Sequence, residues 1–326
     1  MRIVNRIVWL GLLGLWSSLA SAQADTYPSR PIRMVVGFPA GGASDVAART
    51  ISGRMAELLG QTVVVENKPG AGSNIGSEAV AKSRPDGYTV LFATISTSIN
   101  GSLYKQLTYD PVKDFAAVSQ VSSTPFLLVV NPAAPYQSVG DIIDAAKKAS
   151  GTQKLPDYAS AGNGTGSHLF MELFMEIAGI QLTAIPYRGA APAIADVMGG
   201  QVPITFDNIL TTLGQVESGK LRALAVSTKQ RSKVAPTIPT MDESGVPGYD
   251  ATAWFGLFVP AGTPPEVIAK LSDAAIKAVQ TPEVSASLLK SGAEPVGSTP
   301  AEFDAFYKAE VAKWAQVIRR AKVQVE

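Results

Sequence analysis

Apolar and polar positions along the first third of the chain switch between two periods. Pro31–Gly37 and Tyr88–Ala93 are short apolar runs of the kind that form buried strands, whereas Asp45–Leu59 sets Ala47, Ile51, Met55 and Leu58 on one helical face before Gly60 stops it. Between them, Thr62–Glu66 reads as a further short strand, Asn67-Lys-Pro-Gly-Ala-Gly as a turn, and Ser73 or Asn74 to Lys82 as a short helix. Thr94–Ser98 reads as a loop at the carboxyl end of the strand before it. Strands that alternate with helices predict a mostly parallel sheet.

The pattern then repeats. Ala116–Asn131 is long, extended and apolar, with Phe126–Val130 its best strand, and is expected to pass into a second domain. A second alternating series follows: a helix over Ser138–Ala149, a strand at Asp157–Ser160, a helix over Ser167–Ala178, a strand at Leu182–Ile185, a helix over Ala190–Met198, a strand at Val202–Phe206, a helix over Leu210–Glu217 and a strand at Ala223–Ser227. Ala235–Tyr249 is a proline- and threonine-rich wrap, and Thr252–Val259 a second extended apolar crossing. Pro265–Val279, Pro282–Ser291 and Pro300–Ala321 carry no strand signal and are expected to cover the N-terminal sheet. The expected division is 25–125 plus 250–326 as one discontinuous domain and 126–249 as the other, joined by two extended crossings that act as a hinge.

Residues 1–24 stand apart. Arg2 and Arg6, the apolar stretch Ile7–Leu15 and the small residues up to Ala22 or Ala24 have the form of a cleavable export signal. No later run approaches the ~20 apolar residues of a membrane helix, so a soluble, exported protein is expected. Loss of Arg2 and Arg6 with the leader leaves the basic residues one short of the 27 acidic ones, a balance that gives no reason to expect nucleic acid as a partner. With no cysteine, stability must come from the core, and 46% hydrophobic composition is ample for two domains.

Candidate chemistry gathers where strands give way to helices. Val35–Asp45 leaves its strand through Phe38, Pro39, Ala40, Gly41 and Gly42, and Ser44 or Asp45 can cap the helix that follows. Ala159–Leu169 repeats the design with Ser160, Gly162, Gly164, Thr165, Ser167 and His168. Such a helix start offers unpaired N–H groups and roughly half a positive charge to an anion, and in open α/β sheets ligands bind at this edge. Each residue also has a plainer reading: Gly41 and Gly42 as turn residues, Asp45 as a cap, Thr94 and Ser96 as groups that satisfy their own loop, and His168 as a structural donor. Tyr187 and Arg188 follow a strand, Asp207 ends one and could cap the next helix or accept from a ligand, and Trp254 and Phe255 are core or ligand wall. One histidine and no cysteine exclude the usual zinc clusters and a Cys–His nucleophile. There is no G-x-S-x-G elbow, no Walker sequence and no complete dinucleotide fingerprint, so neither a metal nor a cofactor is expected. An enzyme reading would rest on His168 with a nearby hydroxyl.

Several runs in order carry a resemblance: Tyr27-Pro-Ser-Arg-Pro-Ile-Arg-Met-Val-Val-Gly-Phe-Pro-Ala-Gly-Gly-Ala-Ser-Asp, Val65-Glu-Asn-Lys-Pro-Gly-Ala-Gly, Pro85-Asp-Gly-Tyr-Thr, Tyr109-Asp-Pro-Val-Lys-Asp-Phe, Gly164-Thr-Gly-Ser-His-Leu, Pro186-Tyr-Arg-Gly and Trp254-Phe-Gly-Leu. Over the whole mature chain the sequence resembles the Bug family, the extracytoplasmic solute receptors of tripartite tricarboxylate transporters. The resemblance implies a two-lobed Venus-flytrap fold, and a periplasmic, monomeric receptor that hands a small organic carboxylate (a di- or tricarboxylate, an acidic amino acid or an aromatic carboxylate) to membrane transporter subunits or, alternatively, reports it to a signalling partner. It further implies that the loops at Phe38–Asp45 and Ser160–His168 act as pincers on the carboxylate through backbone N–H groups, hydroxyls and bridging waters. Proline is common in the family where Ala40 stands here, a change that bears on which carboxylate is bound.

Overall fold

The structure, a computed structural model, describes residues 27–149 and 154–323. The leader and its cleavage site therefore lie outside the described residues. The chain forms two sheets, each covered by helices on both faces, in two lobes.

Lobe one is built on a six-stranded sheet in the order β11-β4-β10-β3-β1-β2. Its strands are β1 (Ile32–Val36), β2 (Val63–Asn67), β3 (Thr89–Thr94), β4 (Phe115–Thr124), β10 (Ala253–Pro260) and β11 (Glu294–Pro295). On one face Ile32, Met34, Val36 and Phe92 pack against α1 (Ala43–Leu59), α8 (Pro265–Gln280) and α9 (Pro282–Lys290). On the other, Val35, Leu91 and Ala93 meet α2 (Asn74–Ala81) and the first half of α10 (Pro300–Ala321) through Val80, Phe303 and Tyr307. Lobe two has a five-stranded sheet in the order β7-β6-β8-β5-β9, made of β5 (Phe126–Val130), β6 (Asp157–Ser160), β7 (Thr183–Pro186), β8 (Ile204–Asn208) and β9 (Arg222–Val226). One face carries α4 (Val139–Ala149) and α5 (Gly166–Ala178), and the other α6 (Ala190–Met198) and α7 (Ile209–Glu217).

The parallel portion of each sheet matches the alternating pattern: β1 runs parallel to β2 and β3, and β6 parallel to β7 and β8. The strands that carry the chain between lobes do not. β10 is antiparallel to β3 and β4, and β5 antiparallel to β8 and β9, so the sheets are mixed. A strand that enters a lobe at the crossing must run away from it, whereas the βα units around it run back.

Pro125 breaks the first crossing between β4 and β5, and the second runs through Ala251 and Thr252 to β10. They are tied together: Ala253 pairs with Thr124, Ser227 Oγ accepts from Phe126 N–H at 2.9 Å, and Ala251 N–H donates to Ser227 O at 2.9 Å. A further link between lobes lies beside them, where Glu294 Oε1 accepts from Ser232 Oγ at 2.7 Å and Lys233 N–H at 2.9 Å.

Three expectations need correction. Thr94–Ser98 is not a loop: α3 (Ile95–Leu103) starts directly from β3, with the Thr94 hydroxyl accepting from Ser96 N–H at 3.2 Å. The C-terminal stretch is not without strands, since β11 adds an antiparallel edge to β4. Nor does every C-terminal helix serve the N-terminal sheet. α10 begins with a capping box between Thr299 and Glu302 and packs Phe303 and Tyr307 into lobe one, but Trp314, Val317 and Ile318 belong to the core of lobe two. Twenty-two residues at 1.5 Å each reach about 33 Å, enough to serve both lobes. Trp314 stacks on Phe170 at 5.4 Å with an interplanar angle of 4°, and its indole N–H donates to Glu310 at 2.9 Å. Between the two halves, Lys313 Nζ donates to Asp250 O at 3.0 Å, which sets the middle of α10 beside the second crossing.

Trp314 is fully buried, so Trp314→Ala leaves a cavity that should destabilise the protein by about 3–5 kcal/mol. Urea unfolding should show this as a lower midpoint with the slope unchanged; a loss under about 1 kcal/mol would mean that the α10 contact is peripheral to lobe two.

Candidate functional site

Register decides where the two glycine loops open. β3 pairs antiparallel with β10, and Thr94 at its carboxyl end lies opposite Phe255, close to the second crossing. Val36 of β1 is level with Phe92, so the loop leaving β1 emerges at the same edge. In lobe two, Asn208 at the end of β8 faces Phe126, the residue after Pro125, and β6 runs parallel to β8. The carboxyl edges of both sheets thus face the crossings, and the loops after β1 and β6 border one interlobe space.

The first loop is Phe38–Gly42. Pro39, Ala40, Gly41 and Gly42 are exposed, and Phe38 is half-buried against the core of lobe one. The N-cap of α1 is Gly42, with no side-chain cap, rather than Ser44 or Asp45. The first helical bond runs from Val46 N–H to Gly42 O, and among the described residues the N–H groups of Ala43, Ser44 and Asp45 meet no protein acceptor. Asp45 is the third helical residue and is only 3% exposed. Its carboxylate accepts from Gly41 N–H at 2.8 Å, from Arg49 Nε at 3.0 Å and from Asn67 Nδ2 at 3.0 Å. The Arg49 guanidinium first, then the Gly41 and Asn67 donors, hold its carboxyl down to about 2. Asn67 also donates to Phe38 O at 3.0 Å, clamping the entry to the loop.

The second loop repeats this construction. Thr165 is the N-cap of α5, Leu169 N–H closes the first helical bond to its carbonyl at 2.9 Å, and the N–H groups of Gly166, Ser167 and His168 meet no acceptor among the described residues. His168, again the third helical residue, accepts at Nδ1 from Gly164 N–H at 3.1 Å. That bond leaves the ring proton on Nε2, which faces Glu172 Oε1 at 3.3 Å, and Tyr158 OH donates to the same oxygen at 3.4 Å. Ser167 Oγ accepts from Ala161 N–H at 2.7 Å, Thr165 Oγ1 donates to Gly162 O at 2.6 Å, and Ser160 Oγ lies 3.4 Å from Gly162 N.

Gly41-Asp45-Arg49 and Gly164-His168-Glu172 are therefore the same brace. A helical side chain receives a loop N–H from four residues before it and is held by a side chain four residues after it. Gly41 and Gly164 have φ of +81° and +74°, the left-handed conformation that turns each N–H toward its brace and that favours glycine.

The other candidates divide. Tyr187 sits beside the second loop: its N–H donates to Ser160 O at 2.9 Å, but its hydroxyl is committed to Asp196 at 2.7 Å. Arg188 is exposed and forms no ion pair among the described residues. Asp207 does not cap α7, a task taken by Asn208, whose Oδ1 accepts from Leu210 N–H. It is 4% exposed, and burial pushes its carboxyl up to about 6. Thr94 and Ser96 start α3, Trp254 is core, and Phe255 is half-buried against Phe92. Arg49, Asn67, Glu172 and Tyr158 are braces that the sequence reading missed; the i,i+4 spacing of Asp45 with Arg49 and of His168 with Glu172 was the available signal. Among the described residues no group of three or more His, Asp or Glu could hold a metal ion, and no helix is long and apolar enough to cross a membrane.

Comparison with known proteins agrees in kind. The family profile described as tripartite tricarboxylate transporter family receptor matches residues 47–323. Protein BugT of Bordetella pertussis is 38% identical, over 99% of this chain and 100% of its own length. Among solved structures, Rpa4515 of R. palustris with adipate is 35% identical with a TM-score of 0.75, over 91% of this chain and 99% of that one. MatC from Rhodopseudomonas palustris with bound malate is 30% identical with a TM-score of 0.72, over 90% and 100%. The two-lobed α/β architecture and the length of the match agree, and the chain belongs to the tripartite tricarboxylate transporter receptor family of periplasmic solute-binding proteins.

Proposed function

We propose that this protein captures a small organic carboxylate between its lobes and delivers it to the membrane subunits of a tripartite transporter. The observation that carries the reading is the pair of braced helix starts, α1 and α5, each with free first-turn N–H groups and both opening on the same interlobe space. Several N–H bonds and two helix dipoles stabilise a carboxylate without a buried ion pair, whose desolvation would offset its attraction. The relatives solved with adipate and malate carry carboxylates of this size. Phe38–Gly42, Ser160, Gly162, Gly164, Thr165 and Ser167 form the cradle in this reading, and Asp45 and His168 are positioning residues. Nδ1 of His168 is spent on the loop and Nε2 lies 3.3 Å from the Glu172 carboxylate, which favours a positioning role over that of a catalytic base. The working unit is a monomer exported after cleavage at Ala22 or Ala24. Its lobes divide at 125 and 250, with the end of α10 reaching across.

A thermal-shift screen tests this directly. A carboxylate at 100 times its Kd should add about 2.7 kcal/mol of stability. Gly42 has an ordinary φ of −77°, so Gly42→Val keeps the fold while placing a side chain over the α1 start, and should weaken binding about tenfold or more. No shift with any carboxylate, together with an inert Gly42→Val, would overturn the reading.

The first brace makes a separate pH prediction. The folded carboxyl of Asp45 lies near 2 against an ordinary 3.8, so its stabilisation is complete above about pH 4 and is lost as pH falls toward 2. Asp45→Asn should cost about 1.5–3 kcal/mol at pH 7, the range for a hydrogen bond to a charged group, and the gap to wild type should narrow in urea melts at pH 3. A gap that does not change with pH would show that Asp45 acts by shape and not by charge.

A further inference from the structure

The two braces differ in their response to protons. Asp45 takes the Gly41 N–H on a carboxylate held down to about 2, so the first brace is intact at any pH above about 4. His168 takes the Gly164 N–H on a ring nitrogen, Nδ1, at 3.1 Å. An imidazole nitrogen accepts only while it is unprotonated, and histidine is the residue type that changes charge in mild acid. This is the one histidine in the chain, and at 7% exposure its ring is buried yet still touches solvent. Nε2 faces Glu172 Oε1 at 3.3 Å. From β6 the Tyr158 hydroxyl, kept protonated because burial pushes its pKa well up, donates to the same oxygen. α10, packed on α5, brings Gln316 and Arg320, but both donate to Glu176, one turn beyond Glu172. β8 brings Asp207, which is engaged by Asn208 and Thr211 at the start of α7. Among the described residues no charged group other than Glu172 bonds to or pairs with the ring.

A second proton on the ring must go to Nδ1, because Nε2 already carries one. Two N–H groups then confront each other at hydrogen-bond distance, and the bond between them is lost. Gly164 is the partner that yields: it sits in a partly exposed loop, and a glycine leaves its φ of +74° at little cost. Resting on the carboxylate reading above, we propose that His168 is a proton-operated release: in mild acid the second brace opens, the loop at Gly162–Thr165 loses its fixed form, and the carboxylate is let go. The new positive charge acts the other way, since a cation beside a helix start attracts an anion. It arises against Glu172, however, so much of it is neutralised within the chain and little is offered to the ligand. Loss of the brace therefore decides the outcome. Linkage fixes the sign: the bound form needs a neutral ring, so affinity is full above the titration of the ring and falls as pH drops through it. By the same reciprocity a bound ligand resists protonation of the ring. The first brace keeps its form throughout this range, so release begins in lobe two.

The test is calorimetric titration of the full mature chain with malate, adipate, glutamate and benzoate at about pH 8 and about pH 5.5, which spans the range in which histidine changes charge. The acid that binds best should lose about tenfold or more in affinity on acidification. His168→Asn is the comparison, because its amide oxygen reaches the position of Nδ1 and does not titrate. Whatever its affinity at about pH 8, the variant should change by about threefold or less, and any weakening from the ligand's own protonation is common to both proteins. With one histidine in the chain, nuclear magnetic resonance reads the ring of the wild type without overlap and needs no variant. The Gly164 amide should shift with the same midpoint as the ring, and saturating ligand should lower that midpoint by about one pH unit, the equivalent of tenfold in affinity. A pH response no larger in wild type than in His168→Asn, an affinity that rises in acid, or a Gly164 amide indifferent to the ring overturns this inference and leaves the carboxylate reading intact. Absence of binding by every acid in the set overturns both.

Discussion

Backbone N–H groups bind an anion only if the loop that presents them is held still, and here the holding is done by the third residue of each helix. Asp45 and His168 differ in charge and chemistry, yet each takes a hydrogen bond from the loop glycine four residues before it and is fixed by the residue four after it. The arrangement spends its charged side chains on the loop itself. Arg49 and Asn67 compensate the negative Asp45, so the acid does not repel an anion at the adjacent helix start. In the proposed cradle an anion would meet peptide N–H and hydroxyl groups, which needs no desolvated cation.

The placement of these loops follows from how the chain passes between lobes. Because β5 and β10 start at the crossings and run away from them, every strand antiparallel to them ends there, and the carboxyl ends of β1, β3, β6 and β8, with the loops or helices that follow, share one edge. Antiparallel strands are thus the geometric reason that two separate βα units confront each other. α10 adds a third thread beside the two crossings: its first half is fixed by Phe303 and Tyr307, its second by Trp314 stacked on Phe170, and Lys313 joins its middle to Asp250. Motion between the lobes must keep or trade these contacts.

Much of this was readable from local pattern. The strand, glycine loop and helix at Val35–Leu59 and at Asp157–Ala178 are written in adjacent residues, and the two crossings stand out as extended apolar runs. What was not readable depends on partners far along the chain. α3 carries Ile95, Ser96, Thr97 and Ser98, poor helix formers, and is stabilised instead by a Thr94 cap and by α10, whose Tyr307 donates to Thr97 O. Apolar periodicity marks α10 as a helix but cannot say that Phe303 and Trp314 serve different sheets. Asn67 reaches Asp45 across 22 positions, which no spacing rule reveals. With Gly42 as cap, Asp45 falls inside the first turn, where it accepts from Gly41 N–H close by and from Asn67 far along the chain, a placement that capping preference alone does not reveal.

The two aspartates at this edge show why identity alone does not assign function. Asp45 receives donors on both oxygens, and its carboxyl is held down to about 2; Asp207 receives two donors on one oxygen and none on the other, and burial drives its carboxyl up to about 6. The first has its hydrogen bonding completed by the chain, so its work is structural. The second is fixed at the start of α7 through one oxygen only, while the other is buried without a partner, so the same residue type at the same edge meets opposite surroundings.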